Sequence, residues 1–289
     1  MMALSEFPCE VCGSTDAVEI PCVRLYTNDQ PLHVCKQCGF VYVKARREAQ
    51  EIADSWSNEL FGECYTAKRP AIKASHLYFL DFLNNYCLLK NKLTVDIGAG
   101  EGQLLEYARD LYAARVYGIE PSHANCSLMR EKGIDCYEGT IESYSASSAQ
   151  KGIADAVTIA WTLETCFSCR DMLAGAWDIL KDGGHIMVGT GSRILVPFRK
   201  ALSDYLGPGP TDTHPVHFSA NTLRALLKSC GFEPTGINRF HDTDFLCVVA
   251  QKVGKEKTSA FAGDDFLAVY AFFERWHQET QYYLSLCRD

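Results

Sequence analysis

Apolar residues recur with two different spacings along this chain, and segments of the two kinds alternate from about residue 71 to residue 251. In the stretch 93–97, LTVDI, apolar side chains stand at every second position, which is typical of a β-strand. In the stretch 103–112, QLLEYARDLY, they recur three and four positions apart, which is typical of an amphipathic helix. Strands that alternate with helices predict an α/β fold with a mostly parallel sheet.

The same alternation continues along the rest of this region. Further strands are predicted at 116–120, 134–138, 155–160, 185–190, 234–240 and 245–251, and further helices at 71–90, 123–132, 170–180 and 220–230. The sequence therefore predicts a Rossmann-like, seven-stranded, mostly parallel sheet with helices on both faces, preceded by a small N-terminal module.

A glycine-rich turn joins the strand 93–97 to its helix. Gly98, Gly100 and Gly102 follow the order G-x-G-x-G, whereas the dinucleotide-binding fingerprint G-x-G-x-x-G places its third glycine where this chain has Gln103. Glycines at such a turn let the backbone approach a ligand closely. The alternative is a turn that only packs the helix on the sheet.

Two acidic residues flank this turn. Asp96 stands two positions before the first glycine, where a carboxylate can meet a cationic ammonium group. Glu120 ends the next strand, where an acid accepts hydrogen bonds from the two hydroxyls of a ribose. An amino group and a ribose without a pyrophosphate describe S-adenosylmethionine, so we expect this cofactor.

Five consecutive motifs carry a resemblance to a known family. VDIGAGEGQ, GIEPS, GTIESY, DAVTIAWTLETC and KDGGHIMV resemble, in this order, the motifs of class I S-adenosylmethionine-dependent methyltransferases, from residue 93 to about residue 188. The resemblance implies that Thr140 and Ile141 meet the adenine and that Trp161 stands at the cofactor crevice. Related enzymes commonly read L-E-H where this chain has Glu164 and then Thr165, which puts a base at the third position in doubt.

Two C-x-x-C-G motifs lie near the N-terminus, and together they supply Cys9, Cys12, Cys35 and Cys38. Four thiolates at this spacing suit tetrahedral zinc, and a closed set of four ligands indicates a structural site. A redox dithiol and an iron–sulfur centre are the alternatives. Cys22 lies between the motifs as a possible substitute ligand, although its spacing is wrong.

The segment 191–219 departs from the simple alternation and is predicted to be an insertion that shapes the substrate site. His214 and His217 lie in it, and an imidazole near neutral pH suits removal of a proton from an acceptor hydroxyl. We therefore predict His217 as the favoured base and His214 as its neighbour or substitute. A purely structural role for each imidazole is the alternative. Glu164 is predicted to orient an imidazole or a hydroxyl, and Arg193 or Arg199 could meet a phosphate.

The stretch H-P-x-H-F-S within the insertion resembles one found in bacterial methyltransferases of sugar and polysaccharide pathways, several of which also begin with two C-x-x-C motifs. This resemblance implies a carbohydrate acceptor, either a nucleotide sugar or a glycan. Two alternatives stay open: a methyltransferase of a small aromatic or polyketide metabolite, and a non-catalytic, zinc-containing binding protein. Whether oxygen, nitrogen or carbon accepts the methyl group is left open as well.

Composition narrows the class of partner. The chain has 289 residues and a net charge of −8, which disfavours a nucleic-acid partner because phosphate binding needs a basic surface. Hydrophobic residues make up 47% of the chain without a run long enough for a membrane span. The first residues do not have the pattern of a signal peptide, so we expect a cytoplasmic protein. Of the fourteen cysteines, the ten outside the two motifs are interpreted as single, reduced residues.

Three regions are predicted from these patterns: a zinc-binding module with its connector at 1–60, a methyltransferase domain at 61–252, and a helical tail at 253–289. In the family that the chain resembles, the region before the strand 93–97 covers the cofactor, which implies Tyr65 and His76 as candidate groups of a lid. The alternative is that Tyr65 packs between domains and that His76 lies on the surface. The tail carries an aromatic face, which is predicted to dock on the body of the protein or on a second copy in a homodimer.

Overall fold

The computed structural model describes residues 5–27, 30–46, 69–147, 151–196, 200–206, 214–238, 245–254 and 262–286. The strands in these ranges are β1 Ser5–Glu6, β2 Ala17–Glu19, β3 Leu32–Cys35, β4 Val41–Val43, β5 Ala45–Arg46, β6 Leu93–Ile97, β7 Arg115–Glu120, β8 Cys136–Glu138, β9 Ala154–Ala160, β10 Leu180–Thr190, β11 Val216–His217, β12 Phe232–Ile237 and β13 Leu246–Lys252. The α-helices are α1 Arg69–Asn84, α2 Gln103–Tyr112, α3 His123–Glu131, α4 Ile141–Ser147, α5 Cys169–Ile179, α6 Leu202–Leu206, α7 Ala220–Ser229 and α8 Phe266–Leu286, and a 3-10 helix spans Pro21–Leu25.

The central sheet has seven strands in the order β12-β13-β10-β9-β6-β7-β8. Strand β13 runs antiparallel to both of its neighbours, and the pairs from β10 to β8 are parallel. This confirms the predicted Rossmann-like fold. The chain passes from β6 outward to β7 and β8, and then returns to β9 on the other side of β6. The order therefore reverses at β6, and such a reversal opens a ligand crevice at the carboxyl ends of the strands.

Local sequence explains where the helices of this sheet begin. Ser122, Ser168 and Ser219 each accept a hydrogen bond from a backbone N–H in the first turn of the helix that follows. A side-chain oxygen at this position satisfies one of the N–H groups that a helix leaves without an internal partner. The strands between these helices are largely apolar, and Val157 and Ile159 on β9 are fully buried because helices cover both faces of the sheet.

A second sheet has four strands in the order β11-β4-β3-β2. Its strands β2 to β4 come from the N-terminal module, and β11 comes from the insertion. Val216 pairs with Tyr42, and His217 pairs with Val41. The insertion is predicted from the sequence to be a loop on the substrate side. This part of it is instead a strand that extends the edge of the module's sheet. The N-terminal module offers an open strand edge, and a β-branched residue beside it completes the hydrogen-bond ladder.

The helix α8 docks on the N-terminal module. Val269, Phe273 and Trp276 are buried in one apolar cluster with the strands β3 and β4, which confirms docking on the body of the protein. Tyr283 and Leu286, further along α8, are 58% exposed each, and their place in a homodimer stays a prediction. In the part of the chain that the structure describes, each helix is too short or too polar to cross a bilayer.

Candidate active site

A cavity of about 380 Å³ lies at the carboxyl ends of β6, β7 and β9, where the strand order reverses. Seven of the eight residues predicted for the cofactor line it: Asp96, Gly98, Gly100, Glu120, Thr140, Ile141 and Trp161. The eighth, Gly102, does not. Residues that are up to 65 positions apart in the sequence thus converge on one cavity, as the resemblance implied, and their contacts with a cofactor remain predictions.

The three glycines of the turn have different roles. A side chain on Gly98, which has φ of 72°, would meet Thr162 at 2.4 Å, so the turn can approach β9 only without a Cβ. Gly100 has φ of 55°, and a Cβ there would meet no atom within 4 Å, so its face is open. Gly102 has φ of 75° and begins α2 against Met129. The first two shape the cavity, and the third lets the start of α2 lie close to Met129 of α3.

Asp96 is a buried carboxyl group at the cavity. Its side chain is 3% exposed, and Oδ1 accepts a hydrogen bond of 2.6 Å from the hydroxyl of Thr158. Burial raises the pKa of Asp96 to about 7, because the charged form has lost the solvation of water. A cationic group of a ligand would favour the charged form, so this carboxyl group fits an ammonium.

Glu120 ends β7 and fixes the shape of the glycine turn. Its Oε2 accepts from the backbone N–H of Gly100 at 2.9 Å, and its Oε1 accepts from the N–H of Ser122 at 2.9 Å and from the amide of Asn125 at 3.3 Å. A carboxylate has about four acceptor positions, so Glu120 can still accept from a ligand hydroxyl. Its place fits a ribose.

Trp161 follows the last residue of β9 and has φ of 56°, in the left-handed region that large side chains seldom adopt. Its ring packs against Phe79 at 5.0 Å, His76 at 5.2 Å and Phe245 at 5.7 Å between centroids. The backbone N–H of Trp161 donates to the carbonyl of Gly189 at 2.8 Å. Such unfavourable backbone conformations persist where surrounding contacts hold them, and they cluster at functional sites.

His76 on α1 also lines the cavity. Its Nδ1 is buried, and among the described residues it has no hydrogen-bond partner. Burial lowers the pKa of His76 to about 4, so the imidazole is neutral at pH 7. The structure therefore places one of the two candidate lid groups at the cavity with a free nitrogen; the other, Tyr65, lies outside the described residues.

The structure places the two predicted base candidates of the insertion elsewhere. His217 is 2% exposed on β11, where its Nδ1 lies 2.9 Å from the hydroxyl of Tyr205, and burial lowers its pKa to about 3. The Nδ1 of His214 bonds with the hydroxyl of Ser192, and burial lowers the pKa of His214 to about 4. Neither imidazole is among the residues that line the cavity. Their role as base stays a prediction, and this geometry does not favour it.

Glu164 is a buried acid that directly precedes a cavity residue in the sequence. It is 1% exposed, its Oε1 accepts from the N–H of Gly191 at 3.0 Å, and burial raises its pKa to about 7. Its neighbour Thr165 lines the cavity, and Glu164 itself does not. Arg193, a candidate phosphate contact, is 4% exposed and donates to the carbonyl of Phe245 at 3.0 Å. Arg199, the other candidate, lies outside the described residues.

Sequence reasoning missed one wall of the cavity, which we call the α5 wall and define as residues 165–172. Phe167, Ser168, Asp171 and Met172 of this wall line the cavity. A serine followed three positions later by an acid signals a helix start, and this signal could have placed the wall. The wall also contains Cys166 and Cys169, whose sulfurs lie 3.7 Å apart, so these two cysteines are not single as predicted.

The four cysteines of the N-terminal module form one group, with all four sulfurs within 4.8 Å of one another. Two pairs, Cys9 with Cys38 and Cys12 with Cys35, lie at 3.5 Å between sulfurs. Sulfurs bound to one tetrahedral zinc at about 2.3 Å lie roughly 3.8 Å apart, so the group fits this metal. The sulfur of Cys22 is directed to the carbonyl of Phe273 at 3.8 Å and is not a member of the group.

Residues 71–236, more than half of the chain, match the model of the methyltransferase domain family, and the chain belongs to this family. Its fold is that of S-adenosylmethionine-dependent methyltransferases.

Particular relatives resemble parts of the chain. A curated ubiquinone biosynthesis O-methyltransferase of Marinobacter nauticus is 29% identical over 120 residues, which are 39% of this chain; the match spans only half of that relative's length.

Two solved structures have the same fold. The 1,6-didemethyltoxoflavin-N1-methyltransferase of Burkholderia thailandensis, solved with its substrate and S-adenosylhomocysteine, has a TM-score of 0.54 and 17% identity over 75% of this chain and 96% of its own. A geranyl diphosphate C-methyltransferase of Streptomyces coelicolor has a TM-score of 0.52 and 16% identity over 71% of this chain and 98% of its own. Identities this low establish the fold alone.

Proposed function

We propose that the protein transfers a methyl group from S-adenosylmethionine to a hydroxyl of a small molecule. The observation that carries this proposal is the pairing of Asp96 and Glu120 across one glycine turn at the cavity. Asp96 would hold the ammonium, Glu120 the ribose, and Thr140 with Ile141 the adenine. When bound, the cofactor supplies an electrophilic methyl group. An oxygen acceptor is favoured because the curated relative is an O-methyltransferase.

Direct binding tests the cofactor part of this proposal. We expect calorimetry to measure one S-adenosylhomocysteine per chain. For variants of Asp96 and Glu120 the matched control is E106Q, because Glu106 is a partly exposed acid on α2 that does not line the cavity. Absence of binding to the wild-type protein would refute the proposed function and favour a non-catalytic binding protein.

A carbohydrate is the acceptor class that we propose first. It rests on the resemblance of the sequence around His214 and His217 to methyltransferases of sugar pathways. A small aromatic metabolite is the second candidate, because Phe167, Met172 and Trp161 give the cavity apolar surface that suits a flat, apolar ring.

Incubation of the protein with labelled cofactor and two acceptor panels separates these candidates. One panel contains nucleotide sugars and short glycans, and the other contains phenols and catechols. We expect a product heavier by one methylene group in the carbohydrate panel. Turnover confined to the phenols would reject the carbohydrate proposal and support the second candidate.

His76 is the group that we propose to receive the acceptor's proton. The residue lines the cavity, its Nδ1 has no hydrogen-bond partner among the described residues, and its imidazole is neutral at pH 7, so one of the two ring nitrogens carries no proton. It can therefore accept a hydrogen bond from a hydroxyl and orient that oxygen toward the methyl group. His217, His214 and Glu164 remain the rival candidates.

The four-cysteine group is proposed to hold one structural zinc ion. The spacing of its sulfurs supports this, and four protein ligands leave no position for a substrate. Metal analysis of protein prepared without chelator should find about one zinc per chain. Iron with visible absorption would indicate an iron–sulfur centre instead, and absence of metal would reject the site.

A further inference from the structure

Glu10 lies on the first turn of the four-cysteine group, between Cys9 and Cys12, yet its carboxylate is directed away from the sulfurs. The residue is 4% exposed. Its Oε1 accepts from the backbone N–H of Cys169 at 2.5 Å and lies 3.4 Å from the N–H of Arg170. These two N–H groups belong to the first turn of α5. A carboxylate from the metal module thus caps the helix that carries the α5 wall.

Arg46 completes this connection from the other side of Glu10. Its side chain is 1% exposed, and its Nη2 donates to Oε2 of Glu10 at 2.9 Å. Its Nη1 donates to the carbonyl of Phe167 at 2.6 Å, and its Nε donates to the carbonyl of Val43 at 3.0 Å. The guanidinium therefore joins a strand of the module, the carboxylate of Glu10 and the backbone of a residue at the cavity.

The helix returns a contact to the module through Arg170. Its Nε donates to the carbonyl of Glu10, and its Nη2 donates to the carbonyl of Val11 at 3.1 Å. The ring of Phe7 packs edge-on against Phe167 with centroids 4.9 Å apart. The backbone of 10–11 and the start of α5 are thus bonded in both directions.

The energetic consequence follows from burial. Glu10 and Arg46 form an ion pair that is almost fully removed from water. Loss of one charge leaves the other buried without compensation, which is costly, so the pair holds its geometry firmly. Phe167 and Ser168 follow the position of Cys169, because they directly precede it in the chain. Their side chains form the cavity surface.

We infer that Glu10 is a positioning residue: through it the four-cysteine site holds the α5 wall in the shape that the methyl acceptor requires. This inference rests on the proposed function. A metal ion on the four cysteines would fix the turn that carries Glu10. Glu10 in turn fixes the start of α5, and this sets the position of the α5 wall. The hydrogen bonds of Glu10 and Arg46 described above do not reach the glycine turn, which is bonded to Glu120.

The test compares E10Q with E19Q. Gln keeps the shape of Glu10 and loses its charge. Glu19 is a matched control, because it lies in the same module and pairs with Arg24 near the surface. Hydrogen exchange at the amides of Cys169 and Arg170 is the structural measurement, and it needs no acceptor. The zinc content and affinity for S-adenosylhomocysteine are measured on the same samples.

We expect E10Q to retain zinc and to bind S-adenosylhomocysteine within about three-fold of wild type, while the two amides exchange at least about ten-fold faster. With the first acceptor that turns over, KM should rise about ten- to hundred-fold, because a misplacement of about 1 Å can cost this much. E19Q should match wild type in every measurement. E10D restores the charge on a shorter side chain, and its KM should lie between the values of E10Q and wild type.

Three outcomes would overturn the inference: unchanged exchange at Cys169 and Arg170 in E10Q, equal changes in E19Q, or a loss of S-adenosylhomocysteine affinity as large as the change in KM. If E10Q does not fold, the same measurements on E10D test the inference, and unchanged exchange at Cys169 and Arg170 in E10D would overturn it. Failure of the wild-type protein to bind S-adenosylhomocysteine would instead reject the proposed function, so the two failures are distinguishable.

Discussion

The two sides of the cavity are built in different ways. The side formed by the glycine turn is local: Asp96, Gly100 and Glu120 lie within 25 residues of one another, and the bonds of Glu120 shape the turn directly. The α5 wall depends on distant parts of the chain, since the contact from Glu10 to Cys169 spans 159 residues. A change in the N-terminal module should therefore disturb the α5 wall and spare the glycine turn.

Loss of the metal ligands should have the largest effect and separates the two sides most clearly. We expect C9S/C12S to lose the metal and the order of the N-terminal module, since structural zinc contributes roughly 10–16 kcal/mol to folding in small zinc peptides. Methyl transfer should fall below detection. The melting temperature and the zinc content check this, and C22S is the control because Cys22 lies outside the group. Full activity without metal would contradict the link between the module and the α5 wall.

Replacement of the proposed proton acceptor should affect the acceptor side alone. We expect H76A to lower kcat by ~10²–10⁴-fold, the range for loss of a general base, with cofactor affinity nearly unchanged. H217A and H214A are compared with it, because their imidazoles do not line the cavity. Steady-state kinetics and calorimetry are the measurements. A large kcat loss in H217A with normal turnover in H76A would restore the insertion as the source of the base.

The two acids of the glycine turn test the cofactor side alone. D96A and E120A should each weaken binding of S-adenosylmethionine by ~1.5–3 kcal/mol, the range for hydrogen bonds to charged groups. Hydrogen exchange at the α5 wall should stay as in wild type, because its bonds to the module are intact. Calorimetry with unchanged affinity in both variants would reject the placement of the ammonium and the ribose.

The pH dependence of cofactor binding tests the charge of Asp96 in a second way. The pKa of Asp96 is raised to about 7 by burial, and only its charged form attracts an ammonium. Affinity should therefore rise up to about ten-fold per pH unit below pH 7 and level off above it. D96N should remove this dependence. A flat profile in the wild-type protein would show that Asp96 is already charged when the cofactor arrives.

The stability of the free protein should change with pH in the opposite direction to the cofactor affinity. The folded-state pKa of Asp96 lies above the ordinary value of 3.8, so the folded protein binds more protons than the unfolded chain between about pH 4 and pH 7. The contribution of Asp96 to stability should therefore fall as pH rises through this window. Denaturant titrations at pH 5 and pH 8 measure how the free energy of unfolding changes with pH. The fall with rising pH should be larger in wild type than in D96N.

The sequence by itself determined the elements of the central sheet and the side of the cavity around the glycine turn. Apolar periods identify the strands and helices, and Asp96 with the glycine turn forms one contiguous motif. Glu120 ends the next strand, and it meets this motif because consecutive parallel strands end at the same edge of the sheet. The cysteine group was predictable for the same reason, since each pair is a local turn.

Only the tertiary structure decided which groups meet on the acceptor side. His76 and His217 are both plausible in sequence, but the packing of α1 brings the first to the cavity and the pairing of β11 with β4 takes the second into the module's sheet. The contact of Glu10 with the start of α5 joins two segments with no shared motif or period. Long-range contacts of this kind arise from the burial of whole surfaces, which a local pattern does not specify.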